Sequence, residues 1–259
     1  MDQKYKELIS QEFLNCLINT VKRLQKRGLY KEANNNPFQE FLLPKDAIFW
    51  SRFERSFSTS FGQRVIEVVS KYLALATGAD EAATQRKVSY KISAKCLNSI
   101  DYHIQSLRSN RINRKPNWEE DLKSIEKNDE NAINETGEGI FDLWFSRNGQ
   151  DNYFSIKTVK PNIDQTAVAK ADLMKVKSAY PSCNAYFGLY YNPYGDDRAL
   201  YNFNPPFKIF DMHADPVVLI GKDYWETIGG EGAYQEILDI AESVSIQAKK
   251  IIDEYLSYL

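Results

Sequence analysis

Between Tyr5 and Arg27 the apolar residues Leu8, Phe13, Leu14, Leu17, Ile18, Val21 and Leu24 recur in three- and four-residue steps, and Gly28 follows as a stop. That spacing lines one face of an α-helix with core-facing side chains. A connection rich in Asn and Pro, NNNPFQEFLLPKD, leads to a second helical region, where Ser60 and Gln63 have the spacing of a capping box ahead of a helix over 64–76, ended by Gly78. Residues 95–115 read as a basic helix that Pro116 interrupts, and an acidic helix follows around 118–127.

The period then shortens. GIFDLWFSRNGQDNYFSIKTVKP, residues 139–161, is two runs of aromatic and β-branched residues separated by Asn148-Gly149, the strongest short-range signal for a β-hairpin. Asn162 and Gln165 open a helix through Ala179, which Pro181 terminates. NAYFGLYYN reads as a core strand, a shorter strand is expected at 207–210 and another at PVVLIG, and a last helix runs from Tyr234 to about Tyr255. Helices, hairpin, helix, strands and helix in that order imply an α/β fold with a mixed β-sheet flanked by helices. The expected organisation is a helical N-terminal addition, residues 1–56, packed on one continuous core domain, residues 57–259, without internal repeats.

With 43% hydrophobic and 13% aromatic residues in 259, the chain buries a sizeable core, which excludes disordered and disulfide-scaffold classes. No apolar run reaches the length of a membrane span and the start MDQKYKELISQEF has no secretory pattern, so a cytoplasmic protein with no membrane partner is expected. Cys16, Cys96 and Cys183 are far apart and form no CxxC pair, so they are expected as reduced core residues. His103 and His213 stand in no GxSxG, HExxH or HxE setting, which leaves catalysis to carboxylates and lysines. The net charge of −2 conceals segregation: from Thr84 to Lys115 eight Lys and Arg face Asp101 alone, while Glu119–Glu138 and the region from Asp196 onward are acidic. A basic run of this kind is either a solvated face or a surface for a polyanion.

A two-residue turn at Asn148-Gly149 fixes the hairpin register so that paired numbers sum to 297, placing Asp142 opposite Ser155. Because side chains alternate, Asp142, Ser155 and Lys157 share one face, while Phe141, Leu143, Phe145, Phe154 and Ile156 share the other, which is expected to be the core face. A carboxylate and a lysine on one face are either an ion pair or reactive groups in a partly buried cleft, and the apolar surroundings favour the cleft.

Asp142, then twelve residues, then Ser155-Ile156-Lys157, with Glu67 on a helix upstream, resembles the PD-(D/E)xK nuclease superfamily and its restriction-endonuclease-like core. Ser155 stands where the superfamily carries its second acid. Lys157-Thr158-Val159-Lys160-Pro161-Asn162 with Asp164-Gln165, and LIGKDYWETIGG at 219–230, resemble type II restriction endonucleases of the group cutting GGNCC-like interrupted palindromes.

The resemblance implies a type II restriction endonuclease hydrolysing double-stranded DNA with Mg²⁺, for which Mn²⁺ substitutes. Asp142, the Ile156 carbonyl and Glu67 would hold the metal, Lys157 and Ser155 would stand in the catalytic site, and Lys160, Asn162 and Gln165 would meet DNA; Glu138 and Asp164 are weaker candidates for the missing acid. Asn162 and Gln165 also suit a helix cap. Two-strand cleavage at a palindrome implies a homodimer. A repair or recombination nuclease and a non-catalytic DNA-binding module with a decayed metal site are the rival readings, the second kept open by Ser155.

Overall fold

The computed structural model describes residues 1–26, 37–129, 131–132 and 134–256; the stop expected at Gly28 lies outside them. Along the chain the elements are α1 (Gln3–Lys26), α2 (Pro37–Leu42), α3 (Lys45–Ser60), a π-helical turn (Phe61–Val65), α4 (Ile66–Ala76), β1 (Glu81–Ser93), α5 (Ala94–Arg108), α6 (Trp118–Ser124), β2 (Asn134–Arg147), β3 (Gln150–Lys157), α7 (Ile163–Ala179), β4 (Asn184–Leu189), β5 (Val218–Ile220), α8 (Lys222–Gly229), α9 (Ala233–Ser243) and α10 (Ser245–Leu256). They divide into two units, Met1–Val69 with Gln235–Leu259, and Ser70–Tyr234. No helix among the described residues is long and apolar enough to cross a membrane.

The first unit is helical. Leu17, Val21 and Leu24, one face of α1, close over Phe49 and Phe53 of α3, with Ile251 and Ile252 of α10 packed on the same cluster. Phe53, Phe57 and Phe61 follow one another at four-residue spacing as a stack of rings, which carries the helix past its expected boundary. Ser60 accordingly sits in helical backbone with no side-chain cap, so the capping box read at Ser60 and Gln63 is not formed: the chain passes from α3 to α4 through a π-turn instead of starting anew.

The second unit is built on the mixed sheet expected from the element order, β1-β2-β3-β4-β5, antiparallel from β1 to β3 and parallel from β3 to β5. The turn is the two-residue one: Asn148 and Gly149 both have positive φ, 53° and 72°, as a type I′ turn requires, and Leu143 pairs with Phe154 in the 297 register. β1 was not legible as a strand. Most of the basic run that reads as a surface for polyanions is divided between this edge strand and α5, and part of it is held within the chain: the Arg86 guanidinium lies over the Trp144 ring at 4.6 Å, Arg108 pairs with Asp164, and Arg114 pairs with Asp121 and Glu120. The basic helix stops at Arg108. Where a strand was expected at 207–210, Pro205 and Pro206 open a 3₁₀ turn, since two successive residues without N–H cannot serve a ladder. The last helix is two, α9 and α10, broken at Val244.

Helices α5 and α7 cover one face of the sheet, their apolar residues joining Phe187, Leu189 and Ala185 of β4 in the principal core. On the opposite face Phe154 packs on Phe145, Tyr186 and Tyr224, and the Tyr224 hydroxyl meets Ser70 at 2.6 Å. Gly188 is required there, because a Cβ would stand 2.7 Å from the Tyr224 ring. Both faces of β3 are therefore buried, and the expectation of one core face and one chemical face is corrected. So is the placement of Phe141, which packs on Tyr153 at 5.0 Å, on the side opposite Phe154, so the alternation of β2 breaks between Phe141 and Leu143. Cys16, Cys96 and Cys183 are buried free thiols, and burial raises the pKa of each.

Candidate active site

The break in β2 falls at Asp142. The regular β2–β3 ladder runs only as far as Leu143 and Phe154, and beyond it the Asp142 carboxylate takes the place of a backbone acceptor: Ile156 N–H donates to Oδ2 at 2.6 Å. Lys157 Nζ donates to the same oxygen at 3.2 Å and to the Ile156 carbonyl, also at 3.2 Å. On the other flank Gln85, at φ 50° in β1, donates its amide to Oδ1 at 3.2 Å. One carboxylate is thus fixed by donors from two neighbouring strands. With side chains 19% and 23% exposed, Asp142 and Lys157 lie at the sheet surface, where a phosphate could approach.

The structure brings Asp142, Ile156 and Lys157 together as the sequence implies. Ser155 lies beside them, buried and paired in register with Phe187. The donor set suits a hard divalent cation: a carboxylate and a backbone carbonyl converge on one ammonium, and such ions complete their shells with water and substrate phosphate. Among the described residues no three His, Cys, Asp or Glu gather as a metal cluster, so the protein's share of such a shell is small.

Glu67 stands half-buried in the first turn of α4, in the unit Met1–Val69, whereas the Asp142 group belongs wholly to Ser70–Tyr234. Glu138 is exposed on β2 and paired in register with Ser89; Asp164 is exposed and held by Arg108. Asn162 and Gln165 form the capping box of α7, each accepting a backbone N–H of the other, at 2.8 and 3.1 Å. Lys160, exposed on the loop between β3 and α7, places its ammonium 5.4 Å from the Tyr194 ring centre.

Asp172 of α7 is a carboxylate that sequence reasoning missed. Burial pushes its pKa up, Lys175 and Lys157 pull it down, and Asp142 pushes it up again. The available signal was an acid three residues after Ala169 and four before Val176, on the buried side of its helix.

A second group of charges is buried outright. Lys170 of α7 is fully buried, its ammonium donating to Asp121 and to the Ile209 carbonyl. Asp121, also fully buried, accepts from Arg114 at 2.6 Å, and His103 Nε2 lies 3.1 Å from it. Burial alone would raise the Asp121 pKa; contacts with His103, Lys170 and Arg114 outweigh it and hold the carboxyl well below its ordinary range. Asp215 accepts the N–H of Trp118 at 2.8 Å, so the acidic helix α6 is docked by buried polar bonds. This cluster is architectural: neither Asp121 nor Lys170 presents any surface to a ligand.

Comparison with known proteins bears on the whole chain. A family model described as "Type II restriction endonuclease, HinfI" matches residues 1–245. Two type II restriction enzymes of Herpetosiphon aurantiacus are similar throughout: HgiEI is 29% identical over 239 residues and HgiCII 28% identical over 235, in each case covering 88% of this chain and 84% of the relative.

Proposed function

We propose, from the premise that this chain belongs to the HinfI family of type II restriction endonucleases and is a site-specific deoxyribonuclease, that the Asp142–Lys157 group is its hydrolytic centre. The observation that carries the reading is the shared grip of Lys157 Nζ on Asp142 Oδ2 and the Ile156 carbonyl. Two hard oxygens and one ammonium at a sheet surface are the groups that phosphodiester hydrolysis requires. Asp142 and the Ile156 carbonyl would hold Mg²⁺, or Mn²⁺ in its place, which supplies charge neutralisation and lowers the pKa of an attacking water. Ile156 N–H and Gln85 fix the carboxylate so that it need not reorganise when charge develops. Lys157 orients the water and stabilises the pentavalent phosphate, and the bond to the leaving oxygen breaks as the water oxygen joins phosphorus. Ser155, too short and too buried to act as the second acid, sits beside this centre.

Lys160, Asn162 and Gln165 would meet the DNA backbone where β3 passes into α7, with the capped N-terminus of that helix behind them. The stretch from Lys157 to Gln165 resembles enzymes cutting GGNCC-like interrupted palindromes, and digestion of a sequenced plasmid in Mg²⁺ with mapping of the ends tests the centre and the site together. Discrete fragments with ends inside such a palindrome are expected; a smear, or no cutting, would reject the reading.

Glu67 is proposed as a further acid of the centre. Glu67→Gln keeps the shape and removes the charge; cleavage is expected to fall about 10²–10³-fold, with the fold retained in a thermal melt. Normal cleavage by this variant would pass the role to Glu138 or Asp164, through Glu138→Gln and Asp164→Asn.

One such centre per chain cuts one strand, so two chains related by the DNA dyad are expected on a palindrome. Light scattering of the protein with a cognate duplex in Ca²⁺ should give two chains per duplex. One chain per duplex, with nicked plasmid accumulating during digestion, would replace the dimer by a monomer acting twice.

A further inference from the structure

Position 155 offers the centre a buried hydroxyl where an acid is expected, and the sheet geometry shows from which direction another carboxylate can reach it. Parallel pairing of Ser155 with Phe187 puts both on one face of the sheet. Phe187 packs in the same core as Leu173, Met174 and Val176, so the face carrying Ser155 and Lys157 is the one that α7 covers. On α7, Asp172 lies between Ala171 and Leu173, one turn from Ala169 on one side and from Val176 on the other, all four of them buried. It is half-buried itself.

We propose that Asp172 is a further metal-binding carboxylate of the Asp142–Lys157 centre, approaching from the helical layer in place of the acid absent at Ser155; the proposal rests on the reading of that centre as hydrolytic. Groups from both sides of β2 converge on it. Lys157 of β3 and Asp142 of β2 are among the charges acting on Asp172, and Asp172 in turn acts on Tyr90 of β1. Helix α7 packs against both β1 and β3, the strands on either side of β2, and so crosses the strand that bears Asp142. The chemistry of the donors points the same way: two carboxylates and the Ile156 carbonyl are hard oxygens, and one or two carboxylates with water and phosphate are the usual complement of Mg²⁺.

The test uses the full chain. Asp172→Asn preserves shape and removes the charge, and Asp172→Glu preserves the charge; both are titrated with Mn²⁺ by calorimetry in the absence of DNA and assayed for plasmid cleavage in Mg²⁺. Mn²⁺ affinity of Asp172→Asn is expected to fall at least about tenfold, and cleavage at least about a hundredfold, while Asp172→Glu binds Mn²⁺ more tightly than the Asn variant. Wild-type Mn²⁺ affinity in Asp172→Asn, alongside loss of both properties in Asp142→Asn, would overturn this proposal and leave the centre standing. Wild-type cleavage by Asp142→Asn would remove the centre itself. Should Asp172→Asn not fold, scission of the wild-type backbone by bound Fe²⁺ with ascorbate and peroxide decides: cuts near both 142 and 172 support the assignment, and cuts at 142 without any near 172 reject it.

Discussion

Lys157→Ala is expected to lower the rate of plasmid cleavage about 10²–10⁴-fold, the range lost with a group that positions a proton or stabilises developing charge. The size of the effect follows from where the ammonium sits. It is held 3.2 Å from both the Asp142 carboxylate and the Ile156 carbonyl and remains partly open to solvent. Truncation removes the charged donor to Asp142 and leaves two neutral ones, Ile156 N–H and Gln85, in place. The carboxylate therefore keeps its position; the pair is mostly buried, so truncation costs some stability, and the loss of cleavage is expected to exceed what that cost explains. Single-turnover cleavage and a thermal melt on the same preparation separate the two. Near wild-type cutting would reduce the contact to an ion pair, and loss of the fold would assign it to architecture.

What could be read before any coordinates differs from what could not by the range of the interactions involved. The hairpin was legible because a two-residue Asn148-Gly149 turn and alternating aromatics specify register locally, and Asp142 and Lys157 came with it. The exception within it, Phe141 on the Tyr153 side, arises where β2 breaks its alternation beside the positive-φ Gln85, a local distortion with no residue signature. β1 was hidden because an edge strand carrying Arg86, Lys87 and Lys91 has only one partner to satisfy and shows solvent on much of its length, so its pattern is that of a charged surface. Ser60 was read as a cap from a four-residue motif, whereas the phenylalanine stack through Phe53, Phe57 and Phe61 determines the continuation of the helix. Asp172 depends on groups 15 and 30 residues away in the chain, and Lys170 on Asp121, 49 residues away. Neither pairing leaves a mark on the local pattern; an acid or a lysine on a helix reads as solvated until the partner is placed.

Asp121→Ala should destabilise the second unit by about 3–5 kcal/mol, the usual effect of removing one partner of a buried ion pair, against a total of about 5–15 kcal/mol for a typical domain. The lysine left behind is the cause. Lys170 is fully buried, lies 4.8 Å from the centre of the Phe210 ring, and among the described residues would retain the Ile209 carbonyl alone as a direct acceptor. Asn117 N–H and the Arg114 guanidinium lose the same acceptor, so the N-terminal turn of α6 loosens with it. Replacing both charges, Asp121→Leu with Lys170→Met, should restore part of the loss, because apolar residues of similar size often match a buried pair. The pH dependence carries a sign that checks the assignment. The Asp121 carboxyl is held below its unfolded value, so its contribution is fully present above the ordinary carboxylate range of about 4 and declines as pH falls toward the depressed folded value. Urea denaturation from pH 7 to pH 3 should therefore show the wild type losing stability more steeply than Asp121→Ala, which no longer has this proton to take up. Parallel curves, or a difference below about 1 kcal/mol at pH 7, would mean that the buried cluster contributes no more than a surface pair.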